Sequence, residues 1–167
     1  MARPGRNASP EDILRPARTF FVTTKASMGR RLLQTERNAE LLVKVLRSLV
    51  TEKMFELHDF VIMPDHVHLL MTVDDGMTIE KAMQLIKGRF SYQLSHEFGY
   101  KGEIWQRGFS EVQVMNRTSF ERHREYIAEN PVKAGLVSSP GEYLFCFGSL
   151  AAKKRQERAE QGLKPGV

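Results

Sequence analysis

Two strand-like runs separated by a tight turn limit the fold of this chain more than any other feature. Residues 55–63 and 66–73 are rich in apolar, β-branched and aromatic side chains, and the Pro-Asp pair between them is typical of a turn. The pattern predicts an antiparallel β-hairpin. Because side chains alternate along a strand, His66 and His68 share one face of its second strand, opposite Val67, Leu69, Met71 and Val73.

The two histidines of this hairpin are candidate metal ligands. Neutral imidazole is a common ligand, and two imidazoles one strand repeat apart offer adjacent coordination sites on a rigid backbone. The alternative is that these are two half-exposed strand histidines with no metal-binding or catalytic role. A His-x-His pattern taken alone favours this alternative. Evidence from residues elsewhere in the chain is needed to choose between these two interpretations.

The remaining elements place the hairpin in an α+β domain. Residues 19–24 predict a first strand, and Thr35 is a suitable N-cap for a helix over residues 36–53. Thr78 begins a second long helix, and residues 103–114 predict a last extended segment. The order β-α-β-β-α-β is that of the ferredoxin-like fold, an antiparallel sheet with two helices on one face and its other face open.

A third helix follows the last strand. Thr118 and Glu121 match a capping box, and Pro131 predicts that the helix ends near Asn130, because proline disfavours helical geometry in the residue before it. We expect the segment after this helix to pack back on the domain.

Tyr126 and Asn130 lie four residues apart on this third helix, so they project from adjacent turns. Phe120 and Ile127 form its apolar stripe, which leaves the tyrosine and the asparagine at the edge, facing the open side of the sheet. Two histidines and one asparagine would leave coordination positions open, as a catalytic metal site requires. The alternative is that Tyr126 only hydrogen-bonds through its hydroxyl on a packed helix.

A phenol beside a divalent cation suits covalent phosphoryl transfer. Positive charge favours the phenolate and polarises a phosphoryl oxygen. Attack on a phosphodiester would leave a phosphotyrosine and a free hydroxyl, and it would conserve the bond energy for later rejoining.

Charge and composition indicate one domain with basic ends. The chain has 167 residues and a net charge of +5. Residues 1–31 hold seven basic and two acidic side chains, residues 151–167 hold five and two, and residues 32–150 hold thirteen and sixteen. We expect a flexible basic arm over residues 1–18, a domain over residues 19–150 and a basic tail, frayed helix or disordered, over residues 151–167. Basic ends can bind phosphate backbones or only aid solubility.

Composition also bears on the compartment. No apolar run approaches the roughly 20 residues needed to span a bilayer, and no apolar segment typical of export follows the N-terminus. The single cysteine, Cys146, cannot form an internal disulfide. We expect a cytoplasmic protein with no membrane partner.

Two stretches resemble the signature motifs of the single-tyrosine HUH transposases, in particular the REP-associated tyrosine transposases. They are Met63-Pro64-Asp65-His66-Val67-His68-Leu69-Leu70 and Tyr126-Ile127-Ala128-Glu129-Asn130-Pro131-Val132-Lys133-Ala134-Gly135-Leu136-Val137. The resemblance extends from about residue 19 to residue 150 and includes the Trp-Gln-Arg-Gly-Phe stretch from Trp105.

The resemblance implies a ferredoxin-like fold with a C-terminal helix that carries the catalytic tyrosine. His66 and His68 match the metal-binding pair of the family, Tyr126 its nucleophile and Asn130 the remaining metal ligand. It implies cleavage and rejoining of single-stranded DNA near REP-like hairpins through a 5′-phosphotyrosine, with Mg²⁺ or Mn²⁺, by a monomer rather than a dimer. Imidazole ligands by themselves favour Mn²⁺ over Mg²⁺.

Two positions depart from the family pattern. After the Trp-Gln-Arg-Gly-Phe stretch, many relatives have an acid-His pair and a later Arg. This chain keeps Glu111 but has Val112 and Met115 in the other two places. A non-catalytic or domesticated nucleic-acid-binding protein of the same fold is therefore the alternative function. Candidate DNA contacts, each a weaker prediction, are Arg30, Arg31, Lys87, Arg89, Trp105, Arg107 and His123.

Overall fold

The computed structural model describes residues 17–162, which form a four-stranded sheet with helices on both faces. All neighbouring strands are antiparallel, and their order is β2-β3-β1-β4. The strands are β1 (Arg18–Lys25), β2 (Glu56–Ile62), β3 (His66–Val73) and β4 (Ser110–Val114). Helix α1 (Glu36–Thr51) connects β1 to β2, and helix α2 (Ile79–Phe98) connects β3 to β4. The predicted ferredoxin-like α+β fold and its hairpin are confirmed.

The predicted N-caps of the two long helices α1 and α2 are confirmed. The Thr35 hydroxyl accepts a hydrogen bond from the backbone N–H of Asn38 at 3.3 Å, and the Thr78 hydroxyl accepts one from Lys81 at 3.1 Å. Each bond satisfies one of the amide donors that the first turn of a helix leaves unpaired. These caps fix where the two long helices begin.

The two faces of the sheet have separate cores. Under α1 and α2, one face of β3 buries the side chains predicted for it, which are Val67, Leu69, Met71 and Val73. The other face carries the two histidines and is partly covered by helix α3 (Arg117–Lys133). Ile127 of α3 packs there against Val61, Leu70 and Val114. The face that we expected to be open is thus covered at one end and accessible at the other.

The predicted bounds of α3 are wrong at both ends. Its N-cap is Asn116, whose side-chain oxygen accepts the N–H of Ser119 at 2.8 Å, rather than Thr118. Asparagine is as good a cap as threonine, so the sequence pattern did not separate them. At the other end the helix continues through Pro131 to Lys133. A proline this close to the end interrupts few helical bonds, and Gly135, with φ of 74°, follows the helix in the left-handed region.

The extended segment predicted over residues 103–114 is shorter than expected. Only Ser110–Val114 form a strand, and Trp105 makes a single isolated bridge to Ala26. Gly108, with φ of 77°, turns the chain between them in a conformation that other residues rarely adopt.

The segment after α3 packs on β2, as predicted. Phe145 accepts the backbone N–H of Ile62 at 2.9 Å, and the Tyr143 hydroxyl donates to the carbonyl of Ile62. Burial raises the pKa of Tyr143 to about 12. Helix α4 (Phe147–Glu160) follows and crosses residue 150, where we expected the tail to begin.

The predicted arm over residues 1–18 lies outside the described residues except at its end, where Arg18 begins β1. Residues 163–167 of the predicted tail also lie outside them. Within residues 17–162, none of the helices is long and apolar enough to cross a membrane.

Candidate active site

His66 and His68 lie side by side at the start of β3, on the face that α3 partly covers. Their ring centroids are 4.7 Å apart and the rings are nearly perpendicular, at 77°. His68 is buried, with 5% of its surface exposed, and His66 is partly exposed. Both imidazoles lie on the same face of the strand, as the alternation predicted, with one inside the protein and the other at its surface.

Each histidine uses Nδ1 for a hydrogen bond inside the protein. The Nδ1 of His68 lies 2.8 Å from the hydroxyl oxygen of Thr23 on β1. The Nδ1 of His66 lies 2.7 Å from a carboxylate oxygen of Asp65 in the hairpin turn. If Nδ1 carries the proton in both bonds, each ring keeps an Nε2 lone pair for another partner. This arrangement is typical of histidines that bind a metal, because the outer hydrogen bond fixes the tautomer and the ring orientation.

The Nε2 atom of His68 is buried and has no hydrogen-bond partner within the described part of the chain. An unpaired buried nitrogen is costly unless something binds it. Burial, His66 and Lys25 together lower the pKa of His68 to about 4, so this imidazole is neutral at pH 7, the form that a metal requires. The donor set thus fits a divalent metal.

A third metal ligand from the protein would have to be a residue other than His, Cys, Asp or Glu. Among residues 17–162, no three His, Cys, Asp or Glu side chains are grouped so that they could hold a metal. Asn130, on α3, is partly buried and lies one helical turn beyond Tyr126. Its side-chain amide oxygen is the atom that could complete the set.

Tyr126 lies above the two histidines on α3. Its ring is 5.3 Å from that of His68, edge-on at 75°, and 5.8 Å from that of Phe21 on β1. The side chain is 43% exposed, and its hydroxyl makes no hydrogen bond with any described residue. The structure therefore does not support the alternative in which the Tyr126 hydroxyl only forms a hydrogen bond on a packed helix. The phenol is free to meet a substrate beside the histidines.

Buried and charged contacts fix α3 in this position. Ile127, next to the tyrosine, is 1% exposed and packs in the second core. On the neighbouring turn, Arg124 forms an ion pair of 3.8 Å with Asp59 on β2. Burial raises the pKa of Asp59, while the N–H of Phe60 and the charge of Arg124 act in the opposite direction. The two halves of the site are thus docked within one chain.

Three predicted DNA contacts have partners inside the protein. The Trp105 side chain is 8% exposed, donates from Nε1 to the Lys87 carbonyl at 3.1 Å and packs on Phe90. It is therefore a buried anchor, and its burial leaves little of the ring available to stack on a DNA base. Lys87 donates from Nζ to the carbonyls of Gln106 and Gly108 at 3.0 and 2.9 Å.

Arg89 is engaged as well, in an ion pair with Glu52 at the end of α1. This pair lowers the pKa of Glu52 and raises that of Arg89. Lys87 and Arg89 therefore support the structure, because their charges are already directed at internal acceptors.

The other predicted contacts stay exposed or partly exposed. Arg30 lies 3.4 Å from the Tyr100 hydroxyl, and Arg31 and Arg107 are exposed. His123 donates from Nδ1 to the Ser119 carbonyl at 2.7 Å. Its ring packs against that of Phe21, with 4.6 Å between the ring centroids. These four residues remain predictions for DNA contact.

Four residues that sequence reasoning passed over complete the surroundings. Thr23 and Asp65 hold the imidazoles, and Lys25 lies opposite His66 in the β1–β3 register. Lys133 of α3 places its ammonium 5.9 Å from the centre of the Tyr126 ring. Asp65 and Lys133 fall within the two quoted motifs, and Asp65 directly precedes His66. Thr23 and Lys25 reach the site through strand pairing.

Val112 and Met115, the two departures from the family pattern, are both exposed. Val112 lies opposite Phe21 in the β1–β4 register, and therefore on the sheet face that carries His68. Neither side chain is needed for the core, so the departures alter the surface around the site rather than its framework.

Comparison with known proteins places this geometry in a family. The sequence profile of the family described as "Transposase IS200 like" matches residues 21–130, which include both histidines, Tyr126 and Asn130. A REP-associated tyrosine transposase of Escherichia coli K12 is 28% identical over 127 residues, covering 75% of this chain and 73% of that protein. A Haemophilus influenzae relative is 36% identical over 95 residues, covering 50% of this chain and 53% of its own length.

A solved structure agrees with the sequence comparisons. A REP-associated tyrosine transposase bound to a REP hairpin superposes with a TM-score of 0.62 at 26% identity, covering 99% of this chain and 89% of that one. The sequence profile covers most of the domain, and fold and relatives point the same way. The chain therefore belongs to the family of IS200-like transposases, and the relatives and the solved structure described here are REP-associated tyrosine transposases.

Proposed function

We propose that this protein cleaves and rejoins single-stranded DNA next to a REP-like hairpin through a 5′-phosphotyrosine on Tyr126. The observation that carries the proposal is the position of the Tyr126 ring, 5.3 Å from that of His68, whose buried Nε2 has no hydrogen-bond partner among residues 17–162. A nucleophile next to a nitrogen that can bind a metal suits metal-assisted covalent phosphoryl transfer. Family membership as a transposase supports the same chemistry.

His66, His68 and Asn130 would hold the divalent metal. When bound, the metal would supply positive charge that polarises a phosphoryl oxygen of the DNA. Two imidazole donors favour Mn²⁺ over Mg²⁺. Thr23 and Asp65 keep the two imidazoles oriented towards the metal position.

Tyr126 is the nucleophile in this proposal. Its phenolate oxygen attacks the phosphorus, the bond from phosphorus to the 3′ oxygen breaks, and the phenol proton is transferred through solvent to that leaving oxygen. The products are a 5′-phosphotyrosine and a free 3′-OH, so one phosphoester bond replaces another. Rejoining is the reverse attack by a 3′-OH and needs no nucleotide cofactor.

Lys133 lies beside the nucleophile. Its ammonium lies 5.9 Å from the centre of the Tyr126 ring, where it also forms an ion pair of 3.6 Å with Glu129. This cation is compatible with the tyrosyl phosphodiester that forms, which carries one negative charge because its phosphate is esterified to both the phenol and the DNA.

We further propose that Tyr126 acts with the histidines of its own chain, in a monomer. The support is the contact between the two rings within one chain, maintained by the burial of Ile127. Hairpin DNA is the expected partner, since the solved relative is bound to a REP hairpin.

A labelled-DNA assay tests the proposal. The protein is incubated with Mn²⁺ and a hairpin oligonucleotide that carries a single-stranded extension and a label at either its 3′ or its 5′ end. We expect the 3′-labelled part to become covalently bound to protein and the 5′-labelled part to be released as a shorter strand with a free 3′-OH. Tyr126→Phe should abolish both products.

Tyr92→Phe is the matched control, because Tyr92 is also exposed but lies on α2, stacked on His96. It should react like the wild type. Binding of the hairpin without an adduct, over a range of hairpin sequences, would contradict the enzymatic proposal and favour the non-catalytic alternative.

A further inference from the structure

A small groove opens beside the histidine pair on the accessible end of the sheet. It has a volume of about 180 Å³ and is lined by Thr23, Lys25, Gln106, Arg107, Gly108, Phe109 and Ser110. We call it the Lys25 groove. Since the Thr23 hydroxyl is 2.8 Å from Nδ1 of His68, the groove begins where the candidate metal site ends. Its volume is below the roughly 300–1,000 Å³ of small-molecule pockets, which suits a segment of an extended chain.

The far wall of the groove is held in place by hydrogen bonds and by one buried ring. The N–H of Gln106 donates to the Lys25 carbonyl at 2.8 Å, so the loop is joined directly to β1. Lys87 bridges the carbonyls of Gln106 and Gly108 from below, and the buried Trp105 anchors the start of the loop. The groove is thus formed before any ligand binds, which lowers the entropic cost of binding.

The charge of the groove is positive. Lys25 and Arg107 are both exposed, and among its described lining residues there is no carboxylate. Neither cation forms an ion pair or a side-chain hydrogen bond with another residue in the part of the chain that the structure describes. In contrast, Lys87 and Arg89 are engaged internally. The two groove cations remain available for an external anion.

A larger pocket on the same face of the sheet lacks this excess of positive charge. It has a volume of about 410 Å³ and is lined by residues 19, 114–117, 120 and 121. Arg117 and Glu121 in its lining carry opposite charges, so it offers no net attraction for a phosphate. The position beside the histidines and the unbalanced charge distinguish the smaller groove.

We infer that the Lys25 groove binds the phosphate backbone of the single strand adjoining the scissile phosphate, with Lys25 and Arg107 each contacting a phosphate. This inference rests on the proposed function, which it extends by assigning the path of the strand on one side of the site. Phosphate contacts of this kind fix the path of a strand and do not by themselves select a base.

Binding of a single-stranded extension at different salt concentrations tests this path. The measurement uses Tyr126→Phe protein in EDTA, which removes covalent chemistry, and compares a fluorescent hairpin carrying the extension with the same hairpin lacking it. We expect Lys25→Gln and Arg107→Gln each to reduce the slope of log K against log salt by about 0.7 for the extended substrate, which is the value for one phosphate contact on a single strand. The bare hairpin should show the wild-type slope.

Lys44→Gln and Arg47→Gln are matched controls, because both cations are exposed on α1, which packs on the opposite face of the sheet. They should leave the slope for the extended substrate unchanged. Groove variants that behave like these controls, or that alter the bare hairpin equally, would overturn the inference. Because no adduct is measured, this failure is separate from failure of the cleavage assay.

Discussion

The hydroxyl of Thr23 lies 2.8 Å from Nδ1 of His68 and joins two strands whose residues are 45 positions apart in sequence. This contact holds the buried imidazole so that Nε2 points to the candidate metal position. The adjacent Thr24 hydroxyl is also buried but has no hydrogen-bond partner within the described residues. Of these two consecutive threonines, only Thr23 therefore forms a hydrogen bond with a candidate metal ligand.

Thr23→Val should weaken Mn²⁺ binding by about 10- to 100-fold, the usual effect of removing an outer partner of a metal-binding histidine. Thr24→Val, the matched control, should leave Mn²⁺ affinity unchanged and leave stability unchanged or higher, since it removes an unsatisfied hydroxyl. Calorimetry or Mn²⁺ electron paramagnetic resonance measures the affinities. Equal Mn²⁺ affinity in the two variants would show that the Thr23 contact does not support a metal ligand.

The stability of the metal-free protein should fall as the pH is lowered from about 6.5 to about 4. Over that range the unfolded chain protonates the imidazole of residue 68, whereas burial keeps the pKa of His68 at about 4 in the folded protein. The unfolded state then binds more protons, which costs the folded state about 3 kcal/mol over the whole window.

Urea unfolding at several pH values in EDTA measures this dependence. His68→Gln should flatten it, while His96→Gln, at the exposed end of α2, should keep the wild-type dependence. A His68→Gln protein with an unchanged pH dependence would contradict the burial argument.

A mixture of Tyr126→Phe and His66→Ala proteins should form no adduct, because each chain lacks one half of its own site. His66 is chosen because it is only partly buried, so its loss should leave the fold intact. The labelled hairpin assay with separate and mixed variants provides the measurement. Recovery of adduct in the mixture would show that the tyrosine acts on a partner chain.

Lys87→Met should lower stability by about 0.5–1.5 kcal/mol, because it removes the shared donor of the exposed carbonyls of Gln106 and Gly108. It should not reduce the salt dependence of DNA binding. Lys81→Met, at an exposed position on the same helix, is the matched control and should change neither quantity. A salt slope reduced by about 0.7 in Lys87→Met alone would restore its sequence-based role as a phosphate contact.

Local patterns predicted the fold well. Alternation in β3 gave the correct face for His66 and His68, and threonine caps gave the starts of α1 and α2. The errors arose where two local solutions have similar free energies. Asn116 and Thr118 are both good N-caps, and a proline in the last turn of α3 removes too few hydrogen bonds to end the helix earlier.

The site was predictable only as far as residue type and spacing carry information. The two motifs indicated His66, His68, Tyr126 and Asn130, and the structure brings the tyrosine to the histidines. Thr23 and Lys25 reach the site through the pairing of β1 with β3, which no local pattern encodes. Trp105 was assigned to DNA because an aromatic ring in sequence does not reveal whether its faces are covered.

The most direct test of the central claim identifies the residue that carries DNA after reaction. The wild-type protein is allowed to react with the extended hairpin and Mn²⁺, digested with nuclease and protease, and analysed by mass spectrometry. The account predicts a nucleotide 5′-phosphate on the peptide that contains Tyr126. A nucleotide on any other residue, or cleaved DNA with no modified peptide, would contradict it.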